Sequence, residues 1–142
     1  MAQDFKNIRA AIVAKINTMT TPGICYGYDK SIFDELPAVI VIPSGNESDY
    51  SDTDRDRVTF VFRVRAYYDV TGEGNYDEAE VALEGVVDEL LTEFREKDAL
   101  PGVTDWVIPA PSAWEYEVRD DKVYRVAEIT LKCVKHIARN VG

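Results

Sequence analysis

The sequence predicts an α+β fold: a mainly antiparallel β-sheet with two α-helices packed on one face. Three observations carry this. Residues 4–20 and 76–97 repeat apolar side chains at three- and four-residue steps, the period of a helix with one buried face. Residues 58–69 alternate instead, the period of a strand. The closing stretch, 114–137, reads as two strands about a tight turn at Asp120-Asp121-Lys122.

The first helix places Phe5, Ile8, Ile12, Ile16 and Met19 on one side, with Asp4 as its N-cap and Thr20-Thr21-Pro22-Gly23 as its stop. Ile24 to Tyr28 fits a short strand. Ala38-Val39-Ile40-Val41-Ile42 is a continuous apolar run between Pro37 and Pro43, which suits a strand central in the sheet or covered on both faces. Residues 44–57, SGNESDYSDTDRDR, hold five acids and two arginines and read as an exposed loop or the tip of a long hairpin. In 58–69, Val58, Phe60, Phe62, Val64, Ala66 and Tyr68 share one face. Thr59, Val61, Arg63, Arg65 and Tyr67 share the other, which is amphipathic and so expected to be partly covered.

A glycine-containing connection, 70–75, leads to the second helix. Its stripe is Tyr76, Ala79, Leu83, Val86, Val87, Leu90, Leu91 and Phe94, with acids in the first turns and Arg95 and Lys97 in the last, as the helix dipole favours. Gly85 lies mid-helix and is expected to mark a close approach to the sheet. The proline-rich stretch 98–113 reads as a loop, with room for a short strand at Asp105–Ile108. Trp114, Tyr116 and Val118 then alternate with Glu115 and Glu117, and the last strand turns Val123, Ala127, Ile129, Leu131 and Cys133 inward.

Length and composition bound the function. At 142 residues the chain is expected to be a single domain, residues 1–142, and 46% hydrophobic against 30% charged residues is ordinary globular composition. The net charge of −10 argues against a surface for duplex nucleic acid or anionic membrane. The longest apolar run is too short to cross a bilayer, and the charged N-terminus does not resemble a secretory signal. Two cysteines, Cys25 and Cys133, form no disulfide framework, so free thiols in a reducing cytoplasm are expected.

Motif chemistry is sparse, and no catalytic residue, cofactor or metal is expected. Gly72-Glu73-Gly74 begins like a phosphate cradle, but the third glycine position is Asp77 and the loop's acids would repel phosphate. Asp52, Asp54 and Asp56 have calcium-loop spacing, but the required glycine and glutamate are Arg57 and Arg63. Cys133 and His136 stand three apart on a strand and so face opposite ways. Glu115 and Glu117 share a strand face and have the residue types of an acid–base pair; a solvated face is the plainer reading. Charge distribution is more informative. Residues 71–98 hold ten acids against two bases, whereas 129–142 hold Lys132, Lys135, His136 and Arg139 with no acid. Such opposite surfaces suit head-to-tail contacts between identical subunits.

The order of a leading helix, LPAVIVIPSG (36–45), a polar stretch, RVTFVFRVRAYYD (57–69), EAEVALEGVVDELLTEF (78–94) and two closing strands resembles the small tail-terminator and minor tail proteins of long-tailed bacteriophages. The resemblance spans almost the whole chain and rests on element order and hydrophobic pattern. It implies a non-enzymatic virion protein, assembled in the host cytoplasm. Its subunits would form a homo-oligomeric ring, expected to be hexameric, that caps the tail tube, stops its polymerisation and joins it to the head connector. The implied partners are further copies of the chain, the tail-tube protein and a head-completion or connector protein. DNA would be only passing cargo in the lumen, where an acidic wall does not hold phosphates. A different neck ring protein and a monomeric or dimeric cellular binding domain are the alternatives. Two contact zones are expected: the stretch Glu47–Arg57, with Asp49, Tyr50, Asp52, Asp54 and Arg55 foremost, and an acidic helix face (Glu80, Glu84, Asp88) meeting a basic end (Lys132, Lys135, Arg139).

Overall fold

The computed structural model describes residues 4–30, 32–50, 55–71, 76–96 and 98–138; along 46–50, 55–56 and 137–138 only the backbone is described. Its elements are α1 (Asp4–Ile16), β1 (Ile24–Tyr26), β2 (Ala38–Tyr50), β3 (Arg55–Asp69), α2 (Tyr76–Arg95), β4 (Trp106–Arg119) and β5 (Lys122–Ala138). The strands form one sheet in the order β1-β2-β3-β5-β4, antiparallel throughout except for the short parallel β1–β2 edge. Because β5 returns between β3 and β4, those two run parallel and α2 is the crossover that links them.

Both helices pack on one face, as the sequence predicts. Ile8, Ile12 and Ile16 of α1 and Leu83, Val86, Leu90 and Phe94 of α2 meet Val39, Val41, Phe60, Phe62, Val64, Ile129, Leu131 and Cys133 of the sheet. Phe5 packs edge-on against Phe60, with ring centroids 4.9 Å apart. The opposite face is half covered among the described residues. Residues 27–30 and 32–37 lie over one end, where Phe33 packs against Tyr67 and Tyr124 in a second apolar cluster with Tyr26, Ala38, Ile40 and Val126. The run 38–41 is thus buried on both sides, Val39 and Val41 in the helix-side core and Ala38 and Ile40 in the cluster with Phe33. This second cover explains the amphipathic outer face of β3.

Of the two readings of 44–57, the hairpin one holds: after a bulge at Ser44, β2 and β3 stay paired to Tyr50↔Asp56. Charged side chains do not prevent pairing, because a strand needs only its backbone partners. Several other expectations need correction. The stretch 106–119 is one strand with a bulge at Ser112. Pro109 and Pro111 are compatible with it because β4 is an edge, where an N–H can be missing without breaking a ladder. The helices end earlier than expected, at Ile16 and Arg95. Tyr76, assigned to the buried stripe, is exposed and meets Tyr116 edge-on; Val123 faces the helix layer but lies beyond its cover. Gly85 is not a close-packing point: a β-carbon there would meet only Thr21 Cγ2, at an ordinary 3.7 Å. The Asp120-Asp121 turn is as expected, with φ of 48° and 61°, the backbone of a two-residue turn between Arg119 and Lys122.

Candidate functional site

The best-built polar constellation lies on the outer face of the sheet, where β3, β5 and β4 run side by side. Strand alternation aims Arg63, Arg65 and Tyr67 outward, and register sets Arg65 directly opposite Glu128. The bulge at Ser112 brings Glu115 and Glu117 onto the same face. Arg63 donates from Nε and Nη2 to Glu128 Oε1 at 3.0 and 2.7 Å, and Arg65 Nη1 donates to the same oxygen at 2.6 Å. Arg65 also donates to Glu115 Oε1 at 2.5 Å and to the Tyr67 hydroxyl at 2.9 Å. Ser112 Oγ donates to the other Glu128 oxygen at 2.9 Å. Arg119 extends the network to Glu117 (2.8 Å), the Tyr67 hydroxyl (2.9 Å) and, through Asp29 and the Lys30 carbonyl, to residues 27–30.

Arg65 is 5% exposed. Burial alone would disfavour its charge, but the hydrogen bonds to Glu115, Tyr67 and Glu128 outweigh that and hold the guanidinium protonated. Burial likewise pushes Glu117 and Glu128 up, and their arginine bonds win, so both sit below the usual glutamate range. Burial pushes Tyr67 up to about 12. The solvated-face reading of Glu115 and Glu117 is therefore corrected: both carboxylates are held by arginines. A general acid needs a raised pKa, and Glu117 is lowered. These residues chemically clamp three strands and a covering segment together. Sequence reasoning missed the clamp: it put Arg63 and Arg65 on one strand face and Glu115 and Glu117 on another, but the register that sets Glu128 between them is not local.

The expected contact residues fall into three groups. Asp52, Asp54 and Arg139 lie outside the described residues, and Asp49, Tyr50 and Arg55 are placed only as backbone, on the paired ends of β2 and β3. Two others are engaged within the chain: Glu80 accepts from Arg125 Nε at 2.5 Å, and Lys135 Nζ reaches Asp4 Oδ1 at 2.7 Å. Glu84 and Asp88 on α2, and Lys132 on β5, are exposed and carry no ion pair among the described residues. The basic end is not one face. Lys132 and Lys135, three apart on a strand, point to opposite sides of the sheet, Lys135 toward α1 and Lys132 outward. The same parity separates buried Cys133 from His136, whose Nδ1 lies 2.9 Å from Asp105. Burial pushes both Cys25 and Cys133 up to about 12, so neither thiol is an activated nucleophile.

Among the described residues no group of histidine, cysteine, aspartate or glutamate side chains is arranged to hold a metal, and no helix is long and apolar enough to cross a membrane. The calcium-spaced Asp52 and Asp54 and the cradle glycines Gly72 and Gly74 lie outside the described residues. No protein-family model matches the chain, and no curated protein matches it.

Proposed function

We propose that this chain is a structural virion protein of a long-tailed bacteriophage: a tail terminator. It works as a homo-oligomeric ring, of six subunits in the family it resembles, that caps the tail tube, stops its polymerisation and presents a surface to the head connector. The observation that carries the reading is the placement of unpaired charge. Glu84 and Asp88 stand on the outward side of the helix layer, and Lys132 stands on the far side of the sheet. A subunit with opposite charge on its two broad sides suits a head-to-tail contact, and such contacts close into rings or continue as filaments. The element order supports the same family. The long β2–β3 hairpin, paired to Tyr50↔Asp56, provides an arm for docking on a tube or connector.

The test removes the protein from assembling particles. Without a terminator, tubes should grow beyond their set length and fail to join heads; adding the purified chain should restore both, and microscopy should place it as a ring at the head-proximal end. Tails of normal length that still join heads without the chain would refute the proposal.

A further inference from the structure

Among the described residues, 27–30 and 32–37 cover one end of the sheet's outer face. At the other end Trp106 and Ile108 of β4 are 43% and 49% exposed, although both are large and apolar. They line a shallow depression of about 260 Å³ with Arg57, Thr59, Lys132 and Val134. Trp106, Ile108 and Val134 supply its apolar part; the rest is polar, with Lys132, which carries no ion pair among the described residues, beside Arg57, which is engaged by another contact. Exposed apolar surface framed by charge is characteristic of an interaction site.

The same chain carries the complementary surface. On α2, Val81, Glu84 and Asp88 fall on one outward stripe, at three- and four-residue steps, and Val81 is 69% exposed. The other α2 acids named by a contact are occupied: Glu78 by Tyr68, Glu80 by Arg125, Glu89 by Thr20 and Thr21, and Glu93 by Lys15. Gly85 adjoins this stripe. A mid-helix glycine costs about 1 kcal/mol relative to alanine, and packing within the chain does not require it, since a β-carbon there meets only ordinary contact.

We infer that the open outer face around Trp106, Ile108 and Lys132 docks the α2 stripe Val81–Glu84–Asp88 of a second copy, head to tail. Charge selects this occupant. Pairing the open face with itself would set Lys132 against its own copy, whereas the α2 stripe brings Glu84 and Asp88 to Lys132, which carries no ion pair among the described residues, and Val81 to Trp106 and Ile108. The two surfaces lie on opposite sides of one subunit, so the contact propagates. This deepens the ring reading above and rests on it for the ring's closure, but its chemistry is testable on the purified chain alone.

The experiment compares four versions by native mass spectrometry and light scattering: wild type, Lys132→Glu, Glu84→Lys with Asp88→Lys, and the combination of all three changes. Each reversal should weaken self-association by roughly tenfold or more, and the combination should recover most of it, because the contact regains opposite charges. Thermal melts check that each subunit remains folded. In a second measurement, Val81→Cys and Ile108→Cys in one chain should yield, on oxidation, a ladder of cross-linked dimers, trimers and higher species; Cys25 and Cys133 are buried and contribute none. Three results would overturn the inference: a wild type that stays monomeric without cross-links at its highest soluble concentration, oligomers indifferent to the reversals, or recovery absent in the combination. Single-stranded nucleic acid that binds the wild type and is released by Lys132→Glu would overturn it too, assigning the face to another partner. Charge-recovered oligomers that never cap a tail would leave the inference standing and remove the terminator function; a ring on tails that ignores the reversals would do the opposite.

Discussion

Glu128→Gln removes one negative charge from the outer-face clamp without changing its shape. The Glu128 side chain is 10% exposed and takes two bonds from Arg63, one from Arg65 and one from Ser112. Breaking a buried ion pair at one partner typically costs 3–5 kcal/mol, because the other charge is left uncompensated. Arg65 keeps Glu115 and the Tyr67 hydroxyl, so the lower end applies, about 3 kcal/mol. With an unfolding entropy near 2 cal/mol/K per residue, a chain of 142 residues loses about 3 °C of Tm per kcal/mol, or roughly 10 °C in all. Urea and thermal melts at neutral pH measure it. The double variant Glu128→Leu with Arg65→Met, which leaves neither charge buried, should lose less than the sum of its two single changes by at least about 1 kcal/mol. Acid adds a sign test. Glu128 is lowered in the folded state, so its contribution is full above the ordinary glutamate value of 4.5 and is lost as pH falls through the lowered folded value. Wild type should therefore lose stability below about pH 4.5, and Glu128→Gln should lose less over the same range. A Glu128→Gln loss under roughly 0.5 kcal/mol, with additive double changes, would show that water already screens these charges and that the clamp stabilises nothing.

Gly85→Ala should stabilise the isolated subunit by about 1 kcal/mol, or roughly 3 °C in Tm, because the helix gains propensity and the new methyl meets only Thr21 at 3.7 Å; a destabilised variant would restore the close-packing reading. Cys25 and Cys133 should resist a thiol reagent at neutral pH until denaturant is added, since both are buried and pushed up to about 12. Rapid modification of either in the folded chain would contradict the packing of β1 or β5.

By itself the sequence determined what depends on neighbours along the chain. The 3.6-residue stripe of Ile8, Ile12 and Ile16, the alternation of Val58 to Val64, and the two aspartates at 120 and 121 each specify a local backbone and the side it buries. Lys132 and Lys135 show the same rule used too little: strand parity alone was enough to split them. Only the tertiary structure decided which strands are neighbours and what covers them. Nothing local states that β5 inserts between β3 and β4, and without that insertion Glu128 would not lie between Arg65 and Ser112. Nor does composition reveal that polar residues 44–50 continue a ladder, or that 27–30 and 32–37 lie over Tyr67 and leave Trp106 and Ile108 open. Periodicity is a property of successive residues, whereas strand order and burial depend on contacts between segments far apart in the chain, and those are settled by the joint packing of two helices and a covering segment on one sheet.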